Sequence, residues 1–218
     1  DIDVVFLSSA KYFERDRKIE SKFECLDRNR VKDKNKIEVF EYLAQSDKFP
    51  VSACTKLIKR GLIIKNDLYF EKNLLSEDID WSTKLLLKAN TFDVCSIEFY
   101  IYRKQRENSI TKSISIKHIR DMISIIQKWI YKCNSGEIDK DISKYLLGLY
   151  SYEYSILMGH IYSINKTKRN ELKHEIKQMK NILKYSSSKK TKLVNLSCNC
   201  IGFNSTAYLL NKYIEGKE

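Results

Sequence analysis

The spacing of apolar residues changes character once along this chain, near residue 112. Before that point short runs of different type alternate. Val4, Val5, Phe6 and Leu7 make a compact apolar run that predicts a buried strand. A charged stretch to Lys36 then reads as a loop, with a second strand near 22–26. Ile37, Val39, Phe40 and Leu43 fall at helical spacing, and Ser46 to Pro50 ends that helix. Residues 51–60 predict a second helix with Gly61 at its cap, and 62–70 read as loop and strand. A helix follows over 79–89. Thr91 to Tyr102, aromatic and β-branched, suits paired strands, and Arg103 to Lys112 is a charged connector.

After Lys112 the strand signals stop. Ile119, Met122, Ile123, Ile126 and Ile130 lie at helical spacing, as do Ile142, Tyr145, Leu146 and Leu149, and then Leu172, Ile176, Met179 and Leu183. Asn134-Ser-Gly136 and the stretch 185–190 punctuate them, and a last segment, Leu193 to Ile214, is broken at Gly202. The pattern predicts a mixed α/β part followed by about four helices. With one proline and six glycines, tight turns are scarce, which argues against an all-β sandwich.

The 218 residues are 43% hydrophobic, enough for a real core. The net charge of +12 is uneven: residues 1–117 carry 23 basic and 19 acidic side chains, residues 118–218 carry 17 and 9. A basic C-terminal half suits nucleic acid, an anionic membrane face or phosphorylated substrates; it is equally the Lys-rich surface of a solvated protein. Cys25, Cys54, Cys95, Cys133, Cys198 and Cys200 form no C-x-x-C pair, and the three histidines are scattered, so a Cys/His metal site is disfavoured. Unpatterned cysteines point to reduced thiols and a cytoplasmic setting. No apolar run approaches a membrane span. Asp1 stands where a Met would open a chain, and a strand follows at once. This reads as a piece whose natural start lies earlier.

Ser76-Glu-Asp-Ile-Asp-Trp81 sets two adjacent carboxylates, Glu77 and Asp78, at the start of a helix, where the helix dipole favours negative charge. The same window is also ordinary N-capping chemistry. Three further windows stand in fixed order around it: Lys56-Leu-Ile-Lys-Arg60, Asn66 to Phe70, and Tyr100-Ile-Tyr-Arg-Lys-Gln-Arg-Glu-Asn-Ser-Ile-Thr111. Together the four windows resemble the C-terminal part of the catalytic domain of bacterial family-2 glycosyltransferases that build capsular and related surface polysaccharides. The resemblance covers about residues 1–115, with 116–218 similar to the helical appendage such enzymes carry. It implies an α/β fold, a truncated A-type glycosyltransferase domain, followed by an all-α C-terminal appendage.

The resemblance also implies inverting transfer of a sugar from a nucleotide diphosphate donor to a saccharide or lipid-linked acceptor. Asp78 would be the general base, and Glu77 would assist it. Arg103, Ser109 and Arg106 would face the donor diphosphate. Trp81 would line the acceptor pocket, although a tryptophan on an apolar helix is more often core. The complete enzyme would use Mn²⁺ or Mg²⁺, and this chain is expected to bind none: Asp1-Ile-Asp3 precedes its strand and Asp78-Ile-Asp80 opens a helix, so neither is the metal-binding D-x-D. The I-P-x-Y-N strand, the D-D-G-S-x-D loop and the strand-borne D-x-D of the donor half do not occur, which implies that the chain alone is impaired in transfer. The competing reading is a basic helical scaffold without activity, binding nucleic acid or docking at the anionic inner membrane face. Against nucleic acid, the basic residues are spread over several helices and no recognition motif occurs.

Overall fold

The computed structural model describes residues 1–23, 26–46, 50–105 and 114–216. They divide into two compact units, 1–42 with 50–105 and 43–46 with 114–216.

The first unit is built around one mixed sheet. Strand β1 (Val4–Phe13) is its spine. Along one edge it pairs in parallel with β4 (Phe92–Lys104), and it pairs antiparallel with β3 (Lys56–Ile58) at its start and β2 (Lys18–Phe23) at its end. Parallel strands are normally covered on both faces, and β1 obeys: Val4, Phe6, Leu7, Ser8, Ser9 and Ala10 are all buried. Phe6 stacks on Phe92 with ring centroids 6.2 Å apart. Helices α1 (Lys36–Gln45) and α3 (Glu77–Lys88) contribute Val39, Phe40, Leu85 and Leu86, all fully buried. Arg28 grips Asp93 with two hydrogen bonds, 2.7 and 2.9 Å, and fastens a 3-10 turn (Arg28–Arg30) to β4. That pairing holds the Asp93 carboxyl down at about 2.

The structure corrects three expectations. Residues 51–60 are not a helix. Ser52 accepts the N–H of Cys54 to start a 3-10 turn (Ala53–Thr55), and the chain then enters β3 because Lys56, Leu57 and Ile58 find open positions opposite Phe6, Val5 and Val4. Long-range strand pairing overrides local helical spacing. Gly61 is likewise no cap: it lies inside helix α2 (Arg60–Lys65), which runs on into 62–70, the stretch expected to be loop and strand. The run expected to form paired strands is a single strand, β4 (Phe92–Lys104), which also takes in Arg103 and Lys104 of the expected connector. It pairs with β1, with register shifts between Leu7 and Ser9 where β4 takes up extra residues.

The second unit holds five α-helices: α4 (Ile116–Asn134), α5 (Lys140–His160), α6 (Lys166–Gln178), α7 (Lys189–Cys200) and α8 (Gly202–Glu215), with a 3-10 run (Met179–Tyr185) extending α6. Four start on a capping side chain that accepts a first-turn N–H: Ser115, Asp139, Asn165 and Ser188. Helix α5 is the axis. Its Tyr150 stacks on Trp129 of α4, and its buried Tyr154 donates to the Ile176 carbonyl at 3.0 Å. Gly159 admits α8 at close range; a Cβ there would stand 2.5 Å from Ile214 Cδ1 and 3.3 Å from the Leu210 backbone.

Candidate functional site

The acid pair opens α3. Ser76 adopts a left-handed conformation (φ 58°), which swings the chain so that Glu77, Asp78 and Asp80 all fall in the first turn. Their surroundings then separate them. Asp80 is buried, 1% exposed, and paired with Lys84 one turn on at 2.6 Å, a structural role. Glu77 and Asp78 are half-buried at the helix mouth.

Asp78 accepts a hydrogen bond from the backbone N–H of Ala53. Burial, and then the adjacent Glu77 charge, push its carboxyl above the ordinary aspartate range; the Ala53 N–H and the Lys56 ammonium reverse this only in part. Lys56 itself is buried and donates to the Ser52 carbonyl at 2.6 Å. Tyr100 of β4 completes the group. Its hydroxyl shares a hydrogen bond with the Cys54 thiol, and Asp78 lies within electrostatic range. Burial foremost, with Cys54, Tyr102 and Asp78 adding to it, pushes the phenol up, so it stays protonated and able to donate. A carboxylate with raised proton affinity beside a phenol and an exposed thiol can accept a proton from a hydroxyl presented at the helix mouth.

Trp81 is placed behind the site. It is 5% exposed, donates Nε1–H to the Leu68 carbonyl at 3.1 Å and stacks on Phe70 at 4.8 Å. Phe70 is 46% exposed. Phe70 therefore presents an exposed ring, with the buried Trp81 as its backing.

Arg103 is bonded to Glu14 through Nε at 2.6 Å and also through Nη2. From Tyr100 onward the β1–β4 register is regular, Ser9 opposite Tyr100 and Tyr12 opposite Arg103. Three positions apart on a regular strand, Tyr100 and Arg103 leave opposite faces of the sheet. Among the described residues no contact joins Arg103 to Asp78. Arg106 and Ser109 lie outside the described residues, as does Cys25.

The carboxylates near the N-terminus do not assemble a metal site. Asp1 pairs with Lys59 at 2.6 Å, and Asp3 accepts the backbone N–H groups of Asn90 and Thr91 at 2.8 and 3.3 Å. Among the described residues no three His, Cys, Asp or Glu converge as metal ligands, so the residues present do not fit a divalent ion. No helix among them is long and apolar enough to cross a membrane.

Sequence reading missed Cys54, Lys56 and Tyr100 as neighbours of Asp78. Lys56 and Tyr100 each stood in one of the four windows, but nothing in their spacing pointed to Asp78. The Ala53 N–H gave no signal, because a backbone donor is invisible until the chain is folded.

No family model matches the sequence, and no curated protein matches it. Solved structures do match. The chain is similar to residues 1–349 of S. aureus TarS in complex with UDP-GlcNAc, with a TM-score of 0.59 and 13% identity over 99% of this chain and 60% of that one. A second crystal structure of S. aureus TarS 1–349 gives a TM-score of 0.55 and 13% identity, covering 99% of this chain and 59% of that one. The fold is glycosyltransferase-like. TarS is a GT-A family glycosyltransferase, and the present chain spans about three-fifths of the TarS structures it matches.

Proposed function

We propose that this chain carries the acceptor-side part of an inverting, sugar-nucleotide-dependent glycosyltransferase of family-2 type, working in polysaccharide or glycoconjugate synthesis. The observation that carries this reading is Asp78: a half-buried carboxylate with raised proton affinity, held by a backbone N–H at a helix mouth. The glycosyltransferase-like fold and the UDP-GlcNAc complex of TarS support it.

In this reading the acceptor hydroxyl lies against Asp78. As its oxygen bonds to the anomeric carbon of the donor, the bond from that carbon to the diphosphate oxygen breaks. The nucleoside diphosphate leaves with the electron pair, and the hydroxyl proton passes to the Asp78 carboxylate. Attack from the face opposite the leaving group inverts the configuration. A base whose pKa lies closer to the working pH takes the proton more effectively. Glu77 raises that pKa and Tyr100 donates to an acceptor oxygen. Phe70 stacks on the sugar face. Arg106 and Ser109, which the family resemblance assigns to the donor, take the diphosphate side; Arg103 leaves the sheet face opposite Tyr100 and is held by Glu14, so it is given no part in the reaction.

The test is sugar transfer from UDP-GlcNAc by the protein as its gene encodes it, beside the Asp78→Asn variant. Loss of transfer with nucleotide binding retained supports the reading. Near-normal transfer by the variant removes Asp78 as the base.

A further inference from the structure

The C-terminal helical pair α7–α8 exposes an apolar face that the transfer reading does not use. Leu193, Leu196, Ile201, Tyr208, Leu209 and Tyr213 are between 48% and 64% exposed. They are not scattered. Leu193, Leu196 and Cys200 fall on one side of α7, and Tyr208, Leu209 and Tyr213 on one side of α8. The opposite sides are sealed by Thr191, Val194 and Cys198 in the one helix and Phe203, Thr206 and Ala207 in the other. Two packed helices that bury one side each in the same unit therefore present their remaining apolar sides outward.

The charge around this face has one sign. Lys189 and Lys192 share the stripe of Leu193 and Leu196, Lys190 stands beside them, and Lys212 lies between Tyr208 and Tyr213. Glu215 is the one acidic residue from 186 to 216, and it is bonded to Lys212 at 2.8 Å. Over 166–216 there are eleven Lys and Arg against three Glu. One of the others stands close by: Arg169 lies over Tyr162, which packs edge-on against Tyr208.

We propose that the α7–α8 face is a docking surface for an anionic lipid bilayer, lying in its interface. Leucines and tyrosines enter the headgroup boundary while lysines meet lipid phosphates, the pairing of apolar face and basic rim that interfacial helices use. Charge selects this occupant over a second copy of the chain, because a symmetric dimer would bring two lysine-rich faces together. Apolar content selects it over nucleic acid, whose backbone offers phosphates but nothing to cover Leu193, Leu196 and Leu209. The proposal stands independently of the transfer reading.

The test is sedimentation of the 218-residue chain with vesicles of phosphatidylcholine containing about one-third phosphatidylglycerol, beside vesicles of phosphatidylcholine alone. Binding to the mixed vesicles should exceed binding to the neutral ones at least about tenfold. Replacing Lys189, Lys190 and Lys192 by Gln should weaken it roughly a hundredfold. Leu193→Ser with Leu196→Ser and Leu209→Ser should weaken it about tenfold. These side chains are exposed, so circular-dichroism melts of both variants should match the parent. Equal binding to both vesicle types, or none, overturns the proposal. So does an unchanged affinity in the leucine variant, a shift of random duplex DNA with the same lysine dependence and no lipid binding, or a dimer in solution that the leucine substitutions dissolve.

Discussion

The backbone N–H of Ala53 donates to the carboxylate of Asp78, across 25 positions of sequence. The turn that places it exists because Ser52 caps it and because β3 departs to pair with β1. The base of the proposed reaction is therefore held by the sheet, not by its own helix alone. Asp78→Asn should keep the Ala53 contact, since an amide oxygen accepts the same bond. It should lower transfer by roughly 10²–10⁴-fold with UDP-GlcNAc affinity unchanged, as measured by initial rates and calorimetry.

Glu77 pushes the Asp78 proton affinity up, so removing that charge should bring it down. In Glu77→Gln the acidic limb of the kcat/KM profile should move to lower pH, with the alkaline side unaltered. An unmoved limb would show that the titrating base is a different group.

Phe70 and Trp81 form one stack but face different media. Trp81→Ala should cost about 3–5 kcal/mol in urea unfolding, because it empties a buried site and orphans the Leu68 carbonyl. Phe70→Ala should cost about 1 kcal/mol in stability. In transfer assays Phe70→Ala should raise the acceptor KM with kcat little changed.

The thiols should separate by exposure. Cys54 and Cys200 are exposed and should react with N-ethylmaleimide in the native protein; Cys198 is buried, and burial pushes the Cys133 thiol up to about 11, so both should react only on unfolding. Alkylated Cys54 should lose its Tyr100 bond and block transfer, whereas Cys54→Ser should retain it. Mass mapping of labelled peptides and rates on the two proteins check this.

Two groups on α5 give stability an opposite pH dependence. Glu153 is fully buried, and burial raises its carboxyl to about 7. Its contribution is present in full below the unfolded value near 4.5 and is lost as pH rises through about 7, an effect of about 3 kcal/mol. His160, its Nδ1 buried without a partner, is held down at about 4 by burial and by His118, 6.3 Å away between ring centroids. Its contribution is present above about 6.5 and lost as pH falls through about 4. Denaturant unfolding from pH 4 to 9 should show Glu153→Gln gaining on the parent at the alkaline end and His160→Phe at the acid end.

Much of the architecture was legible in the chain. The 3.6-residue period after Lys112 marks the helical part, read as about four helices where the described residues hold five, because α4, α6, α7 and α8 bury one side each. Helix α5, buried without a break from Leu146 to Ser151, carries the pattern less clearly, and Gly202, with φ of +80°, breaks the last pair where expected. The acid pair at the start of α3 was legible for the same reason: a first turn offers free N–H groups, and the sequence places Ser76, Glu77 and Asp78 there. Strand β1 was half visible, since Val4 to Leu7 is apolar but Ser8 and Ser9 are buried by pairing, not by composition.

What the sequence could not determine is which residues meet. Local pattern reports how each side chain sits on its own element. It is silent on strand pairing, so β3 read as helix. It is also silent on which face a distant residue occupies. Tertiary structure decided that Tyr100 and Cys54, not Arg103, border Asp78, because pleated strands alternate and a register of a few residues sets the face. It decided too that Trp81 lies behind Phe70, since burial depends on the chain that folds over a residue and not on the residue itself.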